Sequence, residues 1–293
     1  MSDFTVSDTS KFSVLEPSCF IHNTVESSED DDTVSSDNDN DSDSVVGVSN
    51  NIIDSTSRIN ESQHILMEKI ISTSTYNDAC NLSKVERKKT ECSGDITLTY
   101  GEVLLDSFRD AVMPVFTDYG GLAKGGKFYD LGSGRGRASF FVTLLVDEYY
   151  HTTGYLKSCT GIEIISSLHA LSLEALARWK ILYPEYLSSS PSSKDQADAN
   201  NAATDITLAH GSIIDLQCAD WTDGDLVFVN STCFTAKLMQ DISRIAKNMK
   251  IGSFFIAFTH ILSEEDTGFT LLEELRREMS WGSADIFIHQ KIQ

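Results

Sequence analysis

The chain has 293 residues, of which 41% are hydrophobic, with 44 acidic against 23 basic side chains and a formal net charge of −21. This length accommodates one or two domains of ordinary size, and no apolar run reaches the roughly 18 residues that a membrane-spanning helix needs. The first residues lack the basic segment and apolar block of a secretory signal peptide. The cysteines and histidines are spaced singly, without a zinc or disulfide pattern. The composition therefore predicts a soluble intracellular protein without a bound metal ion.

Acidic residues are concentrated near the start of the chain. Residues 1–95 carry 19 acidic and 7 basic side chains, and residues 26–44 (ESSEDDDTVSSDNDNDSDS) are almost entirely acidic or small and polar. Such a segment buries too little apolar surface to offset the entropy lost on ordering. We expect a disordered acidic tail over residues 1–90 and a functional domain over residues 91–293. The tail is either a solvated spacer or a contact for basic proteins such as histones.

Strand-like runs alternate with helical patterns after the tail. The runs that we assign to strands are KFYDLG (127–132), CTGIEI (159–164), ITLAHGSI (206–213), LVFVN (226–230), SFFIAFTH (253–260) and ADIFIHQKI (284–292). Helical spacing links Leu168, Leu171, Ala175 and Trp179, and again Leu238, Ile242, Ile245 and Met249. Gly252 is the expected C-cap of the second helix, and residues 184–205 are expected to form a polar surface loop. The alternation predicts an α/β fold with a doubly wound, mostly parallel sheet.

A glycine-rich turn follows the first predicted strand. Gly132, Gly134 and Gly136 form a G-x-G-x-G pattern, whereas Arg137 stands where a dinucleotide fingerprint requires its third glycine. Asp130 lies at the end of the strand, and a carboxylate there suits a cationic ligand better than a phosphate. The ammonium group of S-adenosylmethionine is a ligand of this kind.

Glu163, at the end of the second predicted strand, is placed to accept the two hydroxyls of a ribose. This residue fits either nucleotide cofactor, so it supports a nucleotide site without identifying the cofactor. Together with Asp130 it favours a methyltransferase. A nicotinamide dehydrogenase, a tight turn without a ligand and a cofactor domain reduced to an interaction module are the alternatives.

Three further motifs make the pattern more specific: TYGEV (99–103), FVNSTCF (228–234) and MSWGSADIFIH (279–289). With DLGSGRG and GIEI, they resemble, in order, the disruptor-of-telomeric-silencing (Dot-one-like) family of non-SET histone H3 lysine methyltransferases. The resemblance covers roughly residues 96–293. It implies a class I, Rossmann-like methyltransferase that uses S-adenosylmethionine to methylate a core lysine of histone H3 in chromatin. It also implies a nuclear location, with the cytoplasm as the alternative.

The resemblance also implies a set of site residues. Asn230 would position the methyl donor and the incoming amine, Phe234 and Trp281 would line a lysine channel, and Tyr100 would belong to a loop folded over the cofactor. The cofactor-binding residues that it implies are Tyr100, Gly101, Glu102, Val103, Phe128, Asp130, Gly132, Ser133, Gly134, Gly136, Arg137, Glu163, Ser212, Ile213 and Asn230.

The sequence departs from the family pattern at two places. Ser212 and Ile213 replace the acidic residue and aromatic that hold adenine, and Asp215 is a substitute for the acidic one. The channel tyrosine has no clear equivalent, because the matching stretch offers Ile286 or Phe287. These departures bear on the identity of the substrate more than on the class of cofactor.

The predicted partner is histone H3 or the nucleosome. The basic group KVERKK (84–89) is either a weak DNA contact, through Lys84, Arg87, Lys88 and Lys89, or an exposed linker. A methyltransferase for another protein or a small molecule is the alternative function. The tetrapeptide NSTC (230–233) lacks the N-P-P-Y-like pattern of enzymes that methylate adenine or glutamine amides.

Overall fold

A computed structural model describes residues 60–89, 98–189 and 203–293 of the chain. Its seven strands form one sheet with the order β3-β2-β1-β4-β5-β7-β6. The strands are β1 (Lys127–Leu131), β2 (Ser158–Glu163), β3 (Asp205–His210), β4 (Leu226–Val229), β5 (Phe254–Phe258), β6 (Phe269–Met279) and β7 (Gly282–Lys291). Strands β1 to β5 pair in parallel, whereas β7 pairs antiparallel with both β5 and β6. This is the doubly wound, mostly parallel sheet that the sequence predicts.

Helices cover both faces of the sheet. They are α1 (Glu61–Ile70), α2 (Tyr76–Lys89), α3 (Leu105–Thr117), α4 (Arg137–Tyr149), α5 (Ser166–Ser189), α6 (Ala236–Ala246) and the short α7 (Glu264–Thr267). Strands β4 and β5 are apolar and buried along their whole length, as expected of central strands covered on both faces. Phe228 packs into the core on one face, and its neighbours Val227 and Val229 pack into the core on the other.

The two helices predicted from apolar spacing are α5 and α6, but their ends differ from the prediction. Helix α5 continues through Pro184 to Ser189, so the first residues of the predicted surface loop are helical, and residues 190–202 lie outside the described part. Helix α6 ends at Ala246, six residues before Gly252. Gly252 instead adopts a φ of 88° in the turn before β5. Met249 is buried beyond the helix end because that turn still packs on the core.

Strand β6 is missing from the sequence-based assignment. Its segment, FTLLEELRREM, carries five charged residues, and its charge pattern is typical of an exposed helix rather than a strand. It pairs instead with β7 through a two-residue turn, Ser280–Trp281, at the edge of the sheet. An edge strand is solvated on one side, and charges there discourage pairing with other chains. The strand is therefore a consequence of tertiary pairing with β7.

The prediction of a disordered tail over residues 1–90 is wrong for residues 60–89, which form α1 and α2. Helix α1 begins with a capping box between Asn60 and Gln63. Leu66, Met67 and Ile70 are buried in the main core cluster. The acidic stretch dominates the composition averaged over residues 1–90, so that average does not indicate this amphipathic helix. The acidic residues 26–44 lie outside the described part of the chain.

Two predicted absences, of a membrane-spanning helix and of a metal site, can be compared with the described residues only. No helix among the described residues combines the length and apolarity needed to cross a bilayer. Within the same ranges, no group of three or more His, Cys, Asp or Glu side chains could hold a metal ion.

Candidate active site

The glycine turn between β1 and α4 forms the base of a cavity at the carboxyl ends of the strands. Gly132 has a φ of 85° and Gly134 a φ of 54°, a region that side chains other than glycine rarely adopt. A Cβ at Gly134 would lie 2.6 Å from Cε2 of Tyr100. Glycine is therefore required at this position both by the backbone and by the ring packed on it. The backbone N–H groups of Gly132 and Ser133 both donate to the carbonyl of Ile162, each at 2.9 Å.

Glu163, at the end of β2, holds the turn in place. One of its carboxylate oxygens accepts the backbone N–H of Gly134 and the other accepts that of Ile165, both at 2.7 Å. Its burial raises the pKa of this carboxyl, although the backbone hydrogen bonds act in the opposite direction. Glu163 does not line the cavity, but each oxygen retains a second lone pair for a hydroxyl donor.

Asp130, at the end of β1, lines the cavity and is 3% exposed. Within the described part of the chain its carboxylate has no hydrogen-bond or ion-pair partner, unlike those of Glu163 and Glu102. Burial, and secondarily the nearby Glu163 carboxylate, raise the pKa of Asp130 to about 8. A buried carboxylate without a partner is costly, and such groups are concentrated at functional sites. The cavity is therefore prepared for a cationic ligand.

Glu102 is neutralised by two arginines of the glycine turn. It is 8% exposed and forms ion pairs with Arg135 and Arg137, and Nε of Arg135 donates to its Oε1 at 2.7 Å. The Tyr100 hydroxyl also donates to Glu102. Burial alone would raise the pKa of Glu102, but the guanidinium groups of Arg137 and Arg135 hold it below its ordinary value. These contacts tie the loop Tyr100–Val103 to the start of α4.

The end of β4 places Asn230 at the same cavity. Its side-chain Nδ2 lies 3.5 Å from the carbonyl oxygen of Gly101, and its Oδ1 accepts the Thr232 hydroxyl at 3.1 Å. Two aromatic side chains flank this position. A Cβ at Gly132 would lie 3.6 Å from Cζ of Phe234, and one at Gly101 would lie 2.8 Å from Cε3 of Trp281. Phe234 and Trp281 thus lie near the turn and the loop without lining the cavity, and their role in a lysine channel stays a prediction.

The structure collects most of the predicted cofactor residues at one cavity, but not all of them. Those that line it are Tyr100, Gly101, Glu102, Val103, Asp130, Gly132, Ser133, Gly134, Arg137 and Asn230. Phe128 is fully buried in the core. Gly136 stands at the N-cap of α4 with a φ of 79°. Both lie outside the cavity lining.

The predicted adenine corner does not line this cavity. Ile213 is buried in the core on the opposite face, where its carbonyl accepts the indole N–H of Trp221. The Ser212 hydroxyl faces the backbone N–H of Ile214 at 3.4 Å, and Asp215 accepts the backbone N–H of Gln217. The two residues considered for the channel tyrosine, Ile286 and Phe287, are buried in β7 and do not line the cavity either. The roles of these residues stay predictions.

Sequence reasoning missed the remaining walls of the cavity. They are Leu105, Phe108, Arg135, Ala138, Phe141 and Phe228. Arg135 carried a detectable signal, because it lies inside the glycine turn. The apolar residues carried none, since the pattern of a buried helix or strand does not distinguish a cavity wall from ordinary core.

Helix α2 borders the site, which no motif in the sequence indicated. The Ser83 hydroxyl donates to the carbonyl of Leu98 at 3.1 Å, and Arg87 donates to the Thr99 hydroxyl at 3.2 Å. Glu86 accepts the backbone N–H groups of Ser166 and Ser167 at the start of α5. The basic residues Lys84, Arg87, Lys88 and Lys89 therefore lie on a packed helix rather than in a linker. Their contact with DNA stays a prediction.

Solved structures share this architecture at low sequence identity. An rRNA methyltransferase, aviRa from Streptomyces viridochromogenes, is 13% identical, with a TM-score of 0.50 over 80% of this chain and 94% of that chain. A tRNA methyltransferase, TrmK of B. subtilis, is 11% identical over 66% of each chain, with a TM-score of 0.38. A precorrin-6y methyltransferase from Geobacter metallireducens is 14% identical over 64% of this chain and 88% of that one, with a TM-score of 0.38. No protein-family model and no curated protein matches the sequence.

The protein has the fold of the class I methyltransferases, which use S-adenosylmethionine as methyl donor. The predicted fold class is confirmed, and the predicted cofactor agrees with it. At this level of identity the likeness concerns the fold alone.

Proposed function

We propose that the cavity binds S-adenosylmethionine and that the protein transfers its methyl group to an acceptor entering beside Asn230, Phe234 and Trp281. The observation that carries this proposal is Asp130, a buried carboxylate that faces the cavity without a partner. A cation that entered the cavity would relieve the cost of ionising this group. The ammonium group of the cofactor is a cation of suitable size.

The residues present fit the cofactor. Asp130 would hold the ammonium group, the glycine turn would let the backbone approach closely, and Glu163 would accept the ribose hydroxyls. When bound, S-adenosylmethionine supplies an electrophilic methyl group. Solvent can enter only about 50 Å³ of the cavity as it stands, which is room for a few water molecules.

The acceptor that we propose is a protein lysine. An ε-amine has an ordinary pKa of about 10.4, and it must lose its proton before it can act as a nucleophile. Phe234 and Trp281 would desolvate the amine and so favour its neutral form. The amide of Asn230 would orient the amine, and alignment of the reacting groups would supply most of the acceleration. The proton can leave through water, so the proposal requires no dedicated base.

Histone H3 in the nucleosome is the specific substrate that we propose, with the nucleus as the site of action. Support comes from the order of the motifs around Tyr100, Asn230 and Trp281, and from the charge of the protein. The chain carries 44 acidic and 23 basic side chains, a balance that favours a basic protein over a polyanion. The basic residues of α2 would then meet nucleosomal DNA.

RNA is the second candidate acceptor. Arg87, in the basic end of α2, is close enough to Cys233, beside Phe234, to affect its pKa; burial raises that pKa and Arg87 opposes the increase. Phosphates bound by α2 would therefore lie near the proposed entrance. The rRNA methyltransferase with the same fold is consistent with this candidate. The net negative charge of the chain, −21, weighs against it.

Two measurements test the proposal. Calorimetry should detect S-adenosylmethionine binding to the full-length protein, and Asp130→Ala should weaken it at least tenfold, or about 1.4 kcal/mol. Incubation with methyl-labelled cofactor should then compare nucleosomes, free histones, total RNA and a whole-protein extract. Label in a lysine of histone H3 would support the main proposal, and label in RNA would replace it with the second. Absence of cofactor binding to the wild-type protein would refute both.

A further inference from the structure

Thr259 has an unusual backbone conformation beside the candidate site. It directly follows β5 and has a φ of 68°, one of two positive φ values at non-glycine residues among those that the structure describes. A β-branched residue is strained in this region, which glycine or asparagine enters more easily. Such strain persists only where the surroundings impose it, and it is concentrated at functional sites.

Two hydrogen bonds impose this conformation. The backbone N–H of Thr259 donates to the carbonyl of Asp285 in β7 at 2.8 Å. The carbonyl of the preceding Phe258 accepts the hydroxyl of Ser231, in the loop after β4. The end of β5 is thus held from both neighbouring strands, and the side chain of Thr259 is carried toward the loop that contains Thr232.

The Thr259 hydroxyl begins a chain of hydrogen bonds that ends at Asn230. Its Oγ1 lies 3.1 Å from Oγ1 of Thr232, whose own hydroxyl lies 3.1 Å from Oδ1 of Asn230. The direction of the chain follows from its last member. An amide oxygen only accepts, so Thr232 must use its single proton there and must itself accept from Thr259. Neither threonine lines the cavity.

The Gly101 carbonyl assigns the orientation of the Asn230 amide, because a carbonyl oxygen only accepts and must therefore face the amide nitrogen. With Oδ1 bound to Thr232, the Nδ2 group is directed toward the carbonyl of Gly101, 3.5 Å away in the loop over the cavity. Both N–H donors of the amide therefore face the side of the cavity where the reacting groups would meet. If the amide were reversed, two donors would face the Thr232 hydroxyl and the oxygen would face the Gly101 carbonyl.

We propose that Thr259 is a positioning residue that, through Thr232, fixes the side-chain amide of Asn230 with its donors toward the cavity. The proposal rests on the proposed methyl transfer for its catalytic consequence, but the orientation of the amide is a property of the protein without ligand. Thr259 itself touches no reacting atom in this scheme. Its strained backbone keeps its hydroxyl within reach of Thr232.

Matched variants of the full-length protein separate the hydroxyl from the backbone. Thr259→Ser keeps the hydroxyl, whereas Thr259→Gly removes it and suits the left-handed conformation. Thr232→Val breaks the chain one residue closer to Asn230. We expect turnover to fall about tenfold in Thr259→Gly and in Thr232→Val, the factor that corresponds to 1.4 kcal/mol, with cofactor Kd and acceptor KM changed less than twofold. Thr259→Ser should stay within twofold of the wild type.

A measurement without cofactor keeps this inference distinct from the proposed function. The side-chain amide signals of Asn230, identified by their loss in Asn230→Asp, should shift in nitrogen-15 spectra of Thr259→Gly and Thr232→Val but not of Thr259→Ser. Thr259→Gly should unfold at the wild-type temperature or above, which excludes misfolding as the cause. Unchanged Asn230 signals in Thr259→Gly, or wild-type turnover in that variant, would overturn the role of Thr259. A wild-type protein that binds no cofactor would refute the function alone.

Discussion

Replacing Asp130 by asparagine tests the electrostatics of the cavity in the absence of any ligand. Burial and the neighbouring Glu163 raise the pKa of Asp130 to about 8, from an ordinary value of 3.8. The unfolded chain therefore releases this proton near pH 4, whereas the folded protein keeps it until about pH 8. Between those two pH values, the free energy of unfolding falls by about 1.4 kcal/mol for each unit by which the pH rises. The stability due to this group is complete below pH 4 and is lost as the pH rises to 8.

Asparagine has the shape of the protonated acid and cannot ionise. Asp130→Asn should therefore not lose stability through this group as the pH rises. We expect the variant to exceed the wild type in free energy of unfolding by about 1.5–2 kcal/mol at pH 5 and by several kcal/mol at pH 8. Urea unfolding at the two pH values, followed by tryptophan fluorescence, measures the difference. Cofactor affinity should fall in the same variant, because the countercharge for the ammonium group is gone.

Asp147 provides a matched control, since it is also buried but has three partners. Its carboxylate accepts the backbone N–H groups of Gly154 and Tyr155 and the hydroxyl of Tyr183, at distances of 2.8–3.0 Å. Burial raises the pKa of Asp147 as well, but these three hydrogen bonds oppose the increase. Asp147→Asn should therefore be less stable than the wild type at pH 5, because an acceptor is lost, and should gain less than Asp130→Asn between pH 5 and pH 8. If Asp130→Asn were less stable than the wild type at pH 8, or gained equally at pH 5 and pH 8, the reasoning about an unpartnered carboxylate would be wrong.

Three further predictions concern the fold around the site. Met67→Ala should lower the free energy of unfolding by about 2–5 kcal/mol because Met67 is buried in the core. As a control, Glu68→Ala, at an exposed position, should change it by no more than about 0.5 kcal/mol. Equal urea midpoints of the two variants would show that α1 does not pack on the core. Glu86→Gln should cost about 1–2 kcal/mol at neutral pH, because the carboxylate accepts two N–H groups at 2.7 and 2.8 Å. Burial would raise the pKa of Glu86, but hydrogen bonds, chiefly from Ser167, lower it. The stability difference between Glu86→Gln and the wild type should therefore diminish as the pH falls below the ordinary glutamate range. A difference that does not change with pH would contradict these hydrogen bonds. His289 accepts the N–H of Leu262 at Nε2, and burial lowers the pKa of His289 to about 4. Nitrogen-15 spectra should therefore show a neutral imidazole ring at pH 5. The free energy of unfolding should decline as the pH falls from about 6.5 to 4.

The strand before the glycine turn was predictable because its signal is local. A run of apolar residues that leads to a carboxylate and then to closely spaced glycines has few structural interpretations in a chain that alternates strands and helices. Positive φ values at Gly132 and Gly134 are a requirement of the turn itself, so the spacing of glycines carried that information. Asp130 and Asn230 were identifiable for a related reason, since polar residues that end buried strands must face either a partner or a ligand.

Other features depend on contacts between distant parts of the chain. Strand β6 is a strand because β7 pairs with it, and its charged sequence alone favours a helix. Met67 and Ile70 of α1 reach the core that includes residues of α3, α4 and α5, and Ala79 of α2 packs with Ile165 and Leu168. The composition of residues 1–90 could not reveal these contacts.

The site shows the same division between local and long-range information. The sequence by itself determined the class of fold, the glycine turn and the two carboxylates at the ends of β1 and β2. Only the tertiary structure decided that Glu163 is bound to the turn while Asp130 is left without a partner, and that Thr259, directly after β5, is linked through Thr232 to the amide of Asn230 after β4. Hydrogen-bond partners are chosen by three-dimensional proximity, and residues 29 positions apart become neighbours only when parallel strands align their carboxyl ends.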